Sequence, residues 1–188
     1  MSTEAHFDLA TRLSARLAHL GEDYCIFTRS GRDYAISVTA AREVLTGEPA
    51  TPVPQAPPSL IGVINLRGEV LPLVQLDSLL DMPARPYTPG DQILVLTCGE
   101  VDIGLAVDRV RDVRSIDAGE MQDYPSGPAA NPLSRRYWPA ATGVVTVLDA
   151  DKLVAEAVNV VSARFQQRLP GRADEAAPIG RAVPLSNK

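Results

Sequence analysis

The stretch Ile61-Gly62-Val63-Ile64-Asn65-Leu66-Arg67-Gly68-Glu69-Val70-Leu71-Pro72-Leu73-Val74-Gln75-Leu76-Asp77 decides the fold. It reads as a strand, a tight turn and a second strand. In the second strand Val70, Pro72 and Val74 point one way and Leu71 and Leu73 the other, because side chains alternate across a strand. A surface hairpin would alternate apolar with polar. This one is apolar on both faces, which predicts packing on each side of its sheet. Asn65, Arg67 and Gly68 make a polar tip between the apolar arms. A guanidinium is rarely buried without a partner, so Arg67 is expected to stand exposed at the end of a rigid hairpin, a position suited to recognition. Gly68 permits the tight turn.

Proline-rich breaks bracket this hairpin. One, over 46–59, carries Pro49, Pro52, Pro54, Pro57 and Pro58; the other runs over 81–91. Neither suits a helix or a central strand. Before the first break, Tyr24-Cys25-Ile26-Phe27 and Tyr34-Ala35-Ile36-Ser37-Val38 read as strands joined by a turn at Ser30-Gly31, and Ala41 to Leu45 continues the sheet or turns briefly helical. After the second, Ile93 to Thr97, Ile103 to Val107, Val110 to Ile116 and the segment 137–148 read as strands. Leu9, Leu13, Leu17 and Leu20 recur at helical spacing and predict a helix over 3–20 within an N-terminal region 1–21. Leu153, Ala157, Val161 and Phe165 predict a second helix from Asp151 to about residue 168, ended by Pro170-Gly171. Residues 171–188 are small and polar and are expected to be a disordered tail.

The pattern repeats. Tyr34 to Val38 falls on Ile103 to Val107, and Thr39-Ala40-Ala41-Arg42-Glu43-Val44 falls on Asp108-Arg109-Val110-Arg111-Asp112-Val113. Leu73 to Leu80 falls on Val147 to Val154, which sets Asp77 against Asp151, each expected to cap the helix that follows. The spacing is about 70 residues, one small all-β unit used twice. Two five-stranded barrels of the SH3 kind are therefore expected in tandem, over about 22–80 (with the end of the chain contributing) and about 91–156. A barrel that small has a thin core. Packing the two through doubly apolar strands would enlarge it.

Composition narrows the function. The chain has 188 residues, 45% of them hydrophobic, with net charge −5 and pI near 5.0. An acidic chain lacks the basic face that nucleic acid requires. No apolar run reaches membrane-spanning length and the first residues lack a signal-peptide pattern. Cys25 and Cys98 lie in apolar runs and are expected to be free thiols in a reducing cytoplasm. The two histidines, His6 and His19, lie in the N-terminal segment, far from either cysteine. Neither a zinc spacing, nor a phosphate loop, nor a nucleophile elbow can be assembled. No cofactor and no metal are expected, and the chain is expected not to be an enzyme. What remains is a binding surface, with Arg67 its first candidate.

The segment Gly62 to Gly68 followed by Val70-x-Pro72-x-Val74-x-Leu76 resembles the signature hairpin of CheW-like domains. Asp33 to Ile36 with Glu43-Val44, Gly104 to Val113, and Leu148 to Val154 resemble further family motifs, in family order, across about 22–156. The resemblance implies two SH3-like barrels in one domain over 22–156, with 157–170 as a helical extension. It implies a cytoplasmic adaptor, recruited to membrane-associated receptor arrays, that joins chemoreceptor tips to a CheA-type histidine kinase. The receptor's helical tip would enter a groove between the barrels. Carried over by motif position, Glu43, Gly62, Asn65, Arg67, Ile93, Gly104 and Val110 would belong to partner-binding surfaces. Where the family often carries lysine this chain has Ile61, which suits an accessory pathway such as surface motility as well as swimming chemotaxis. A ligand-sensing barrel module is the alternative from another class.

Overall fold

Alternating apolar runs separated by glycine turns and proline breaks give eleven strands in a computed structural model, which describes residues 21–125, 131–134, 136–141 and 143–166. The predicted helix over 3–20 and the tail 171–188 lie outside the described residues. The strands are β1 (Glu22–Arg29), β2 (Arg32–Ser37), β3 (Ala41–Thr46), β4 (Leu60–Leu66), β5 (Glu69–Gln75), β6 (Gln92–Cys98), β7 (Val101–Val107), β8 (Arg109–Ile116), β9 (Gln122–Asp123), β10 (Arg136–Ala140) and β11 (Gly143–Val147). A one-turn helix α1 (Leu76–Leu79) follows β5, and a long helix α2 (Ala150–Gln166) follows β11.

Two sheets form. The first has the order β8-β1-β2-β11-β10-β9 and the second β3-β6-β7-β5-β4. The repeat is visible in both. In the first sheet β11 runs parallel to β2 with Val147 opposite Ala35; in the second β5 runs parallel to β7 with Leu73 opposite Gly104. These are the pairs that the sequence repeat superimposes. The expected division into 22–80 and 91–156 does not match the sheets, however. Each copy sends everything after its first two strands to the other: β1 and β2 share a sheet with β8 to β11, and β6 and β7 share one with β3 to β5, so that β8 pairs with β1 and β3 with β6. Each sheet therefore contains strands from both halves of the chain. The strand count is six and five rather than five and five, because the two-residue β9 extends the first sheet.

Three apolar clusters follow from the alternation. Tyr24, Ile26, Ala35, Ile116, Met121, Val145 and Val147 fill the inner face of the first sheet. Ile64, Leu66, Leu71, Leu73, Ile93, Val95 and Ala106 fill that of the second. The intervening residues of the same strands, among them Cys25, Phe27, Ile36, Leu94, Leu96, Ile103 and Leu105, join Val74 and residues of both helices in one large cluster between the sheets. Burying both faces of β1, β2, β6 and β7 gives each thin unit a share of a larger core. β5, expected to be apolar-buried on both faces, is so only at its end. Val74 is buried, Pro72 is half-buried and Val70 is 69% exposed, because β5 runs out past the shared core toward the hairpin tip.

The capping roles expected of Asp77 and Asp151 also differ. Helix α1 has no side-chain cap, and Asp77 is fully buried within it. Helix α2 is capped two positions before Asp151, by Asp149, whose Oδ1 accepts the Lys152 amide at 3.1 Å. Both cysteines are free thiols, Cys25 buried and Cys98 half-buried. No helix among the described residues is long and apolar enough to cross a membrane.

Candidate functional site

The β4–β5 hairpin turns on two residues, Arg67 (φ 53°) and Gly68 (φ 95°). Both lie in the left-handed region that a tight hairpin with native twist requires. Asn65 stabilises the turn: its Oδ1 accepts the Gly68 amide at 2.8 Å. An arginine in this conformation costs about 1 kcal/mol relative to glycine, so the side chain is held there at a structural cost. Arg67 is 74% exposed in its side chain and donates from Nη2 to Glu43 Oε2 at 2.9 Å. Glu43 stands on β3, the opposite edge of the same sheet, so this pair links the two edges. Arg42 adds contacts to Asp102, to Glu43 at 3.7 Å and to Glu69 at 3.8 Å. Exposed ion pairs contribute about 0.2–1 kcal/mol each. The tip is therefore a charged surface feature and only weakly a source of stability.

Three of the expected contact residues lie beneath that surface. A Cβ on Gly62 would sit 2.4 Å from the Thr51 carbonyl oxygen, because the proline-rich connector bonds directly to β4 through reciprocal Thr51–Val63 hydrogen bonds. A Cβ on Gly104 would sit 2.9 Å from Ile93 Cγ2 and 3.2 Å from Leu73 Cδ1, inside the second sheet's core. Ile93 is fully buried in the same place. These three shape the unit from within. Glu43, Asn65 and Arg67 come together at the tip. Val110 lies apart from them, half-buried against the shared core, with its amide bonded to Gln92 Oε1 at 2.6 Å.

Val110 opens a second surface. The edge strands β3 and β8, one from each sheet, run along the same side of the shared core. Gln92 spans them, its Oε1 on the Val110 amide and its Nε2 3.5 Å from Thr46 Oγ1. On β3, Val44 lies opposite Leu94, and on β8, Val113 lies opposite Cys25; both partners belong to the shared core. Val44 and Val113 thus extend that core's face into solvent, at 42% and 57% exposure. Val38, 36% exposed, continues it at the end where its amide bonds the Asp23 carbonyl at 2.9 Å. Ala41 and Val110 are half-buried between them. The edge strands of the two sheets thus each add an exposed valine to the shared core's face, and the repeat makes Val44 and Val113 equivalent. Sequence reasoning missed Val38, Val44 and Val113, since a valine on a strand reads as core. The signal was the edge position of the strands, which topology alone reveals.

At the opposite end of β1 lies a buried charge cluster. Arg29 and Asp77, both with 0% side-chain exposure, bond through Nε at 2.8 Å and Nη2 at 2.5 Å to one carboxylate oxygen. Arg29 also donates to the Arg85 carbonyl at 2.7 Å, and Ser30 Oγ donates to Asp77 Oδ1 at 2.9 Å. Arg85 reaches Asp108 at 2.7 Å and also binds Asp91. Burial alone would push the Asp77 carboxyl up; hydrogen bonds from Arg29, the Arg85 amide and Ser30, with the Arg29 charge, outweigh it and hold the group below the usual carboxylate range. Burial likewise opposes ionisation of Asp91, and Arg85 and Thr88 outweigh it. The cluster ties the end of β1, helix α1, the 81–91 connector and the β7–β8 crossover together, and Asp108 fixes where β8 begins. On the first sheet a cleft of about 310 Å³, lined by Ile26, Asp33, Arg111, Asp112, Arg114 and Trp138 among others, occupies the position that the Glu43–Arg67 pair holds on the second. Glu43 falls on Asp112 in the repeat, but Ala141 stands where Arg67 does. The charges in the cleft are paired internally, Arg111 with Asp33 and Arg114 with Asp112.

Comparison with known proteins agrees with this architecture. Residues 23–158 match the family model described as the CheW-like domain. The chain is 34% identical over 107 residues to the chemotaxis protein CheW of Bacillus subtilis, covering 57% of this chain and 69% of that one. It is 34% identical over 115 residues to the chemotaxis protein CheW of Rhizobium meliloti, covering 61% and 74%. The crystal structure of the scaffolding protein TtCheW from Thermoanaerobacter tengcongensis shares the fold, with a TM-score of 0.62 at 20% identity over 69% of this chain and 89% of that one. With two strand-exchanged sheets around a common core and a family match across both, the chain belongs to the CheW-like domain family.

Proposed function

We propose that the protein is a non-enzymatic chemosensory adaptor that couples methyl-accepting chemoreceptors to a CheA-type histidine kinase by protein–protein binding alone. It acts in the cytoplasm, at membrane-associated receptor arrays. The observation that carries the reading is the exposed valines of the edge strands β3 and β8, which we read as the walls of a groove. Exposed valines on both walls offer an apolar centre, and the charged tip at Arg67 and Glu43 supplies a polar margin, the usual anatomy of a protein interface. A helical partner lays an apolar stripe into such a groove, and a chemoreceptor tip is a helical hairpin. Family membership supports the same partner class, since the relatives named above are chemotaxis proteins.

Arg67 has two roles in this reading. It contacts the partner at the tip, and it braces β3 by holding Glu43, the neighbour of the groove residue Val44. The kinase contacts part of the first copy of the repeat, as the family resemblance implies. The test is reconstitution from purified components. A receptor-tip fragment and the kinase should each form a complex with the wild-type protein on size-exclusion chromatography. Val113→Asp should lose the receptor fragment and keep the kinase. Equal receptor binding by wild type and Val113→Asp would remove the groove from the account.

A further inference from the structure

The two copies of the repeat finish one charged corner differently. In each, a bulge re-aims an arginine. Ile26 of β1 pairs with Asp112 and Phe27 with Val110, which leaves Arg111 out of the ladder; Ala41 pairs with Leu96 and Glu43 with Val95, which leaves Arg42 out. Both arginines reach the equivalent aspartate: Arg42 binds Asp102, and Arg111 binds Asp33 at 2.9 Å. The next residue differs in its partner. Glu43 receives Arg67 from the tip of the β4–β5 hairpin at 2.9 Å. Its counterpart Asp112 has no such donor, because Ala141 stands where Arg67 does. Arg114, on the same strand as Asp112, binds it instead through Nε at 3.0 Å. An arginine side chain is thus missing from this corner of the first sheet, and an open cleft of about 310 Å³ takes its place.

The cleft has an apolar lining and an unspent polar rim. Ile26 and Val145 line it from the core, and Trp138 lines it half-buried. The indole Nε1 donates to Glu120 Oε2 at 2.9 Å, which fixes the ring. The acceptors of the rim are used. Asp33 takes Arg111 Nη1 at 2.9 and 3.1 Å, and Asp112 takes Arg114 Nε at 3.0 Å and the Val113 amide at 2.8 Å. The donors are not. A guanidinium carries several N–H groups, yet Nε and Nη2 of Arg111 and both Nη atoms of Arg114 bond no group among the described residues.

We propose that this cleft binds a small aromatic carboxylate, its carboxylate on the free N–H groups of Arg114 and Arg111 and its ring against Ile26, Val145 and Trp138. A planar carboxylate matches the fork of a guanidinium and can accept two bonds at once. A cation would find both rim carboxylates already engaged. A dianion would meet Asp33 and Asp112 with more charge than the two spare donor sets offset, so a single negative charge fits best. The volume lies at the small end of the range for ligand sites, about 300–1,000 Å³, which suits one ring on a short arm. The site stands on the sheet that does not carry Arg67, and it does not rest on the adaptor reading.

Phenylacetate titrated into the full chain tests this. Trp138 is the only tryptophan of the 188 residues, so its indole N–H resonance and its fluorescence report on the cleft alone. Phenylacetate should shift that resonance saturably. Phenylacetamide keeps the ring without the charge, and acetate keeps the charge without the ring; each should bind at least about tenfold more weakly. Arg114→Gln should weaken phenylacetate about tenfold, the loss of one charge-assisted hydrogen bond. Ala141→Arg restores the side chain that fills this corner in the other copy and should abolish the shift. A shift that does not saturate, acetate or phenylacetamide binding as well as phenylacetate, or unchanged binding by Arg114→Gln would overturn the proposal. A folded Ala141→Arg protein that binds phenylacetate like wild type would overturn it as well; should that variant fail to fold, the two control ligands and Arg114→Gln still decide. Receptor and kinase binding are untouched by any of these outcomes.

Discussion

Arg67 at the tip of the β4–β5 hairpin bonds Glu43 on β3 at 2.9 Å, across the two edges of one sheet. The arginine is exposed, in a backbone conformation that glycine would adopt more cheaply, and its ion pair contributes little to stability. Arg67→Ala should therefore leave unfolding free energy within about 1 kcal/mol of wild type. Receptor coupling should fall about tenfold, the loss expected of an interface arginine. Urea unfolding and a receptor-tip binding isotherm on the same preparation check both halves. A protein that precipitates or unfolds readily would make Arg67 structural.

Val44 and Val113 are expected to behave as surface residues for folding and as core residues for binding. Val44→Asp or Val113→Asp removes an exposed methyl pair, so stability should change by about 0.5 kcal/mol or less. Binding of a helical receptor tip should drop by at least about tenfold, because a carboxylate would be desolvated in the groove. Circular dichroism melts and titration of a labelled tip fragment measure the two effects.

Much of the fold was legible in the residues. The two-sided apolarity of the strands predicted a shared core, and the repeat predicted two equivalent units. Neither could reveal that β3 to β5 and β8 to β11 change places, since pairing with either copy's first two strands satisfies the same alternation. Of the site, Arg67 was readable because a charged residue between apolar arms has one comfortable place. Val113 was not, because its exposure comes from the edge position of β8. Arg29 was hidden for the opposite reason. It precedes the Ser30-Gly31 turn and looks like a solvated turn residue, yet it is fully buried against Asp77. Asp77 in turn resembled a helix cap because it precedes an apolar helical turn.

The Arg29–Asp77 pair should be costly to break. Asp77→Asn leaves a buried guanidinium short of its counter-charge and should cost about 3–5 kcal/mol at pH 7; a double change to well-packed apolar residues should cost less. Chemical denaturation of the three proteins gives the comparison. Equal losses for the single and double changes would deny the coupling.

Acid should act through the same cluster. Asp77 and Asp91 are both held below the ordinary carboxylate range in the folded protein. The unfolded chain therefore binds more protons between the lowered values and the ordinary one near 4. Their stabilisation is complete above about pH 4 and is lost as pH falls through the lowered values. Unfolding free energy should stay nearly flat from this source between pH 7 and 5 and fall below about pH 4. Asp91→Asn should be less stable at pH 7 and lose less on acidification. Parallel pH curves for wild type and Asp91→Asn would contradict this.

Gly104→Ala separates packing from recognition. The added methyl meets Ile93 and Leu73 and should cost about 1–3 kcal/mol by overpacking. Affinity for a partner, measured well below the melting temperature, should stay within about twofold, because the methyl points into the second sheet's core and away from any surface.

The central claim, that this chain joins a receptor to a kinase through the β3–β8 groove and the Arg67 tip, is tested most directly by one reconstitution. The purified protein, a chemoreceptor tip fragment and a CheA-type kinase are mixed, and the mass of the complex is measured by light scattering for wild type and Val113→Asp. The account predicts a three-component complex with wild type and only the kinase-bound complex with the variant. A wild-type protein that binds neither component, or a variant that assembles all three as well as wild type does, would contradict it.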